Sequence, residues 1–161
     1  MNAMTSPTPP DSEPDSTQPA LLRHILPVAV GGAVSLMLTI VTDNTLGAHG
    51  MLPASGDTSL STGALMFVAA YRGVFAVLGC HVAARLAPEG QPRIRYALAL
   101  GIVMLILNAM GAVSNWGSVP RWYLLGSIAM TLPYAILGGG TAARAIAMGR
   151  ERAAREASRP K

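Results

Sequence analysis

Charge is scarce in this sequence: only 12% of its 161 residues are Asp, Glu, Lys or Arg. Soluble globular domains carry about 25%, so the chain lacks the charged shell that water requires and reads as a protein solvated by lipid. Cys80 is the single cysteine, which excludes an internal disulfide and carries no information on redox compartment. No carboxylate falls inside any long apolar run. Proton-coupled transporters generally relay protons through an intramembrane Asp or Glu, so this absence weighs against a proton-driven mechanism. Catalytic groupings are missing too. There is no Ser/His/Asp set, no phosphate-cradling loop, no G-x-G-x-x-G, and no C-x-x-C or H-E-x-x-H spacing. The expectation is a non-enzymatic protein with no cofactor and no metal.

What the sequence does contain is four apolar runs, Leu21–Val41, Gly63–Val82, Tyr96–Val113 and Trp122–Ala142. Each is close to the ~20 residues that a helix rising 1.5 Å per residue needs to cross hydrocarbon. The expected fold is an all-α integral membrane protein, a four-transmembrane-helix bundle over residues 21–148, with spans at about 21–42, 62–86, 95–114 and 121–146. Residues 1–20, rich in Pro, Ser and Thr, read as a disordered tail, and residues 149–161 as a basic C-terminal tail with helix-forming composition to about Ala157. A cleaved signal peptide is disfavoured, because Asp11, Glu13 and Asp15 precede the first cation, Arg23.

The cations set an orientation. Ten of them (Arg23, Arg85, Arg93, Arg95 and the six from Arg144 to Lys161) flank one side of the spans, against Arg121 alone on the other. The positive-inside rule then places both termini in the cytoplasm, with Trp116, Trp122 and Tyr123 forming an aromatic belt at the outer face. A bias this strong also argues against small exporters that insert in both orientations. The basic tail should attract anionic lipid headgroups, at about 1 kcal/mol per cation near the surface. Since membrane anchoring accounts for the charge, no nucleic-acid partner is expected.

Placing residues at ~100° per position gives each span a small or polar stripe opposite a bulky one. The stripes are His24/Gly31/Ser35/Thr39/Thr42, Ala69/Arg72/Ala76/Gly79/Ala83, Ala97/Gly101/Met104/Asn108/Ala112/Asn115 and Trp122/Gly126/Ala129/Pro133/Gly140. In lipid, helices associate where small residues let backbones approach, so the stripes are expected inside and the bulky residues outside. The shared L-G-x-x-x-A-A-R at Leu78–Arg85 and Leu137–Arg144 has two readings, a duplicated hairpin or a common need for a basic anchor, and the second is favoured.

Arg72 is the best functional pointer, since a guanidinium at that depth costs roughly 2.5 kcal/mol or more and needs a partner or a wet cavity. Its stripe directs it inward. The candidate polar site is Arg72 with Asn108 at similar depth in span 3, Asp43 at the outer end of span 1, and Pro133. That proline leaves the Ala129 carbonyl one turn earlier without its helical donor. Arg72 could bond Asn108, the Ala129 carbonyl or Asp43. It reads first as a clamp between helices, second as an anion or headgroup site open to the outer face, third as a side chain leaning toward the interface. His24, His49 and His81 form no metal or haem site.

The combination Tyr71-Arg72, Gly79, Ala84-Arg85-Leu86-Ala87-Pro88, Trp116, Pro120, Trp122-Tyr123, Pro133 and Leu137-Gly138-Gly139 resembles small four-span bacterial inner-membrane proteins of no assigned activity. The resemblance covers about residues 64–140 and implies a bacterial inner-membrane location without functional residues. The leading expectation for function is an accessory or structural subunit that forms homo- or hetero-oligomers. The alternative is a small-solute or anion permease with Arg72 and Asn108 lining the pathway.

Overall fold

Each apolar run folds as one helix, and the turns between them are marked by the residues expected to stop or start helices. The structure, a computed structural model, describes residues 20–51 and 61–158. The expected N-terminal tail, apart from Ala20, lies outside the described residues, as does the 52–60 segment with Asp57. The elements are α1 (Ala20–Ala48), α2 (Thr62–Arg85), α3 (Arg93–Ser114) and α4 (Arg121–Ala157), and no strand occurs among the described residues. All four helices are long and apolar enough to cross a membrane. The Ser61 side chain caps α2 by accepting from the Ala64 N–H at 3.2 Å. At the other end of α2, the Arg93 guanidinium donates to the Arg85 carbonyl at 3.2 Å, filling an acceptor that the helix cannot satisfy itself. Between them, the Gln91 N–H returns to the Pro88 carbonyl at 3.3 Å across Glu89 and Gly90. Gly90 has φ +82°, so it occupies the turn position that only a residue without Cβ accepts readily.

Two helices run further than the apolar runs. α1 winds on through Asp43 to Ala48, and α4 continues unbroken through the charged segment to Ala157. The helices' alternating direction collects Arg23, Arg85, Arg93, Arg95 and Arg144 at one end, here the basic end, and Trp116, Trp122 and Tyr123 at the other, the aromatic end. At that aromatic end the Arg121 guanidinium sits 5.6 Å from the Trp116 ring centroid, a cation–π distance.

The core is built from small side chains. Cys80, Ala83, Ala84, Ala97, Leu100, Ala135 and Ala142 form one buried cluster. Leu36, Phe67, Ile106 and Met110, by contrast, face outward. This inverts a soluble bundle, because lipid offers no hydrophobic drive to bring helices together, and dispersion between closely spaced backbones supplies the contact instead. The approach is tightest between α1 and α2. A Cβ on Gly31 would stand 2.5 Å from the Gly79 carbonyl oxygen, and a Cβ on Gly79 would stand 2.6 Å from the Gly31 oxygen. α2 and α4 meet in the same way, with a Cβ on Gly138 falling 2.5 Å from the Val77 oxygen.

The expected stripes hold in α1, α2 and the first half of α3, where Gly31, Ser35, Gly79, Ala83, Ala97 and Gly101 are buried. In α4 the expectation fails. The buried face runs through Leu124, Thr131, Ala135, Gly138 and Ala142, and Ala129 and Pro133 are exposed on the opposite side. α4 carries small residues on two faces, so residue size alone could not select between them.

α2 contacts all three other helices, whereas α1 and α4 do not meet. α1 therefore leans on α2 and, near the basic end, on α3. There the His24 Nδ1 and Tyr96 hydroxyl are 2.5 Å apart, and a Cβ on Gly32 would reach Leu100 at 3.4 Å. Toward the aromatic end the two helices part. Leu100 is 2% exposed, but Leu107, two turns on along the same face of α3, is 60% exposed.

Candidate functional site

The parting of α1 and α3 leaves the aromatic half of the bundle open on that flank, and the charged residues of α1 and α2 lie in this half. Arg72 shares the face of α2 that carries Gly79 and Ala83, the residues packed against Gly31 of α1. Its direction is toward α1, yet 47% of its side chain is exposed. In a helix each Cα–Cβ bond tilts toward the N-terminus, so the long Arg72 side chain leans toward the aromatic end. Asp43 meets it there. Arg72 Nη2 donates to Asp43 Oδ2 at 2.6 Å, and the Asp43 side chain is 30% exposed. The Tyr71 hydroxyl donates to the other carboxylate oxygen, Oδ1. Tyr71 in turn packs edge-on against Phe67, ring centroids 5.5 Å apart, and against Phe75 at 5.7 Å, which fixes the phenol.

The clamp is thus a three-residue unit: one α1 carboxylate held by two successive α2 side chains. It exists because α1 remains helical past Thr42. The extra turns carry Asp43 inside the helix and place it about 7.5 Å below the helix end, within reach of a guanidinium that starts about 15 Å below the start of α2. Arg72 is the only cation paired with a carboxylate among the described residues.

Of the four residues expected to share a polar site, the structure brings together Arg72 and Asp43 and separates the other two. The Asn108 amide donates to Thr131 Oγ1 on α4 at 2.9 Å, and Thr131 donates in turn to the Ser127 carbonyl at 2.7 Å. Asn108 is exposed, while Thr131 is buried. Pro133 is on the exposed face of α4, so neither it nor the Ala129 carbonyl reaches Arg72; this corrects both expectations.

Three participants were not anticipated. Tyr71 was visible as the neighbour of Arg72, but its 100° offset hid the fact that a carboxylate one helix away can bridge both. Thr131 was missed with the buried face of α4. Tyr96, which bonds His24 across α1 and α3, had no sequence signal beyond being polar at a span boundary. His81 also finds a partner on α4, with its Nδ1 3.0 Å from Thr141 Oγ1.

No group of three or more His, Cys, Asp or Glu residues that could hold a metal ion occurs among the described residues. The cluster offers a guanidinium with five N–H donors, one of them engaged by Asp43, and a phenol on the same carboxylate. That is chemistry for holding polar or anionic groups in an apolar setting. Comparison with known proteins finds no family model, no curated protein and no solved structure that matches this chain.

Proposed function

We propose that this chain is a non-enzymatic, multi-pass subunit of a bacterial inner membrane, with both termini in the cytoplasm, whose open α1–α3 flank is covered by another protein chain. One observation carries the reading: the Arg72–Asp43 pair is about half-exposed and one-third-exposed, respectively, at a depth where four apolar helices would otherwise meet only hydrocarbon. Charged groups in spanning segments face a bundle interior, a protein partner or water. The pair is held between α1 and α2, with the Tyr71 hydroxyl as a further donor to Asp43. A second chain seated against α1 and α3 would complete the enclosure and cover Leu107. The ten-to-one bias of the cations supports the orientation. The resemblance to four-span inner-membrane proteins supports the location.

The competing reading is a small-solute or anion permease in which the α1–α3 flank borders a water-filled vestibule. It is favoured by two polar side chains that are exposed within the spans, Arg72 and Asn108. Leu107→Cys in a Cys80→Ala background separates the two. In intact membranes, a covered flank leaves the introduced thiol unreactive toward a membrane-impermeant maleimide, and the protein mass of the species purified in mild detergent, after subtraction of bound detergent, exceeds the 16.7 kDa of one chain. Rapid labelling of a monomer from the outer side would overturn the subunit reading in favour of the vestibule.

A further inference from the structure

The basic end holds a second polar opening, unconnected with Arg72. A cleft of about 320 Å³ lies between the start of α1 and the α2–α3 turn, lined by Arg23, His24, Pro88, Glu89 and Gln91. Its volume falls at the low end of the ~300–1,000 Å³ typical of small-molecule sites. Its lining combines one cation and one carboxylate, and these do not bond each other, since the only ion pair among the described residues is Arg72–Asp43. Opposite charges that line one cleft unpaired match a ligand that carries both signs.

Two local structures hold the lining in place. The turn closed by Gln91 N–H and the Pro88 carbonyl, with Gly90 at φ +82°, fixes Glu89 and Gln91 on either side of one glycine. Across the cleft, His24 is anchored by Tyr96, which is only 8% exposed. The Tyr96 hydroxyl engages Nδ1, which leaves the ring's other nitrogen, Nε2, for a ligand. Arg23 precedes nearly all of the apolar run of α1, so the cleft stands at the level where phospholipid headgroups meet the protein.

We propose that this cleft binds the headgroup of a zwitterionic aminophospholipid, with the phosphate on Arg23 and His24 and the ammonium at Glu89. An anionic lipid would satisfy Arg23 but place unbalanced negative charge beside Glu89, so the carboxylate selects for the amine. The proposal rests on the chain spanning a membrane and is independent of what covers the α1–α3 flank.

The test is thermal unfolding of the full chain in detergent. The added probes are phosphatidylethanolamine, phosphatidylglycerol of the same acyl chains, or free phosphoethanolamine. Phosphatidylethanolamine is expected to raise the unfolding midpoint by several degrees, and phosphatidylglycerol by much less. Arg23→Gln and Glu89→Gln, both at exposed positions, should each keep the lipid-free midpoint and lose most of the increment. A comparable increment with millimolar phosphoethanolamine would support the same site with a soluble occupant; an increment only with the lipid assigns it to the bilayer. Equal stabilisation by both lipids, an increment that survives Glu89→Gln, or no increment with phosphatidylethanolamine would each overturn the proposal.

Discussion

At the scale of single residues, the structure turns on one carboxylate. Asp43 accepts from Arg72 and Tyr71 together, so its removal leaves a guanidinium and a phenol without their partner. Breaking a buried ion pair costs roughly 3–5 kcal/mol and an exposed one about 0–1; the partial exposure here puts the expected cost of Asp43→Asn or Arg72→Leu near 2 kcal/mol. The double variant Asp43→Leu/Arg72→Leu should recover most of that loss, because no charge remains to be solvated. Thermal or denaturant unfolding in detergent measures both, and a double variant weaker than either single one would refute the clamp. The glycines offer a second measurement. Gly31→Ala drives a Cβ to 2.5 Å from a backbone oxygen, and overpacking of this kind typically costs 1–3 kcal/mol. Gly126 has nothing within 4 Å of its would-be Cβ, so Gly126→Ala should be neutral or slightly stabilising in the same assay.

At the scale of the helices, periodicity was enough to place the elements but not always to orient them. The spans, the inward stripe of α2 and the pairing of Arg72 with a polar neighbour were legible, because a lone arginine among Gly79, Ala83 and Phe67 has a clear angular address. The buried face of α4 was not. Gly126, Ala129, Pro133 and Gly140 compete with Thr131, Ala135, Gly138 and Ala142 for the same role, and only the close contact of Gly138 with Val77 and Cys80 decides. The divergence of α1 from α3 was equally hidden, since Leu100 and Leu107 look alike in sequence and differ only in what stands opposite. α4 also supports a prediction of its own. Its 37 residues extend about 55 Å, well beyond a hydrocarbon core of about 30 Å, and the side chains from Ala147 to Ser158 are exposed. Deleting residues 150–161 should therefore change the unfolding free energy of the bundle by less than about 0.5 kcal/mol, the usual limit for surface changes. A larger loss would mean that the projecting turns fold back onto the bundle.

At the scale of the whole molecule, the two ends differ in chemistry and in packing. The basic end contains most of the buried alanines and the closest helix approaches, and the aromatic end holds the open flank and the ion pair. The proposed orientation assigns the tight end to the cytoplasm. Reporter fusions at the C-terminus, and at position 51 in the α1–α2 connection, check this directly. A fluorescent protein that folds only in the cytoplasm should light at the C-terminus and stay dark at position 51, and a periplasmic phosphatase should give the reverse.

The crossing of Gly31 and Gly79 has a consequence for how such a chain can change over generations. Each of these positions is occupied by the absence of a side chain, so every available mutation adds atoms where backbone oxygens already stand. On the outer face, Leu36, Phe67 or Ile106 can exchange for other bulky apolar residues with little effect on fold, since lipid conforms to whatever it meets. Drift should therefore erase the large hydrophobic residues first, and the spacing of the glycines should outlast them as the record of descent.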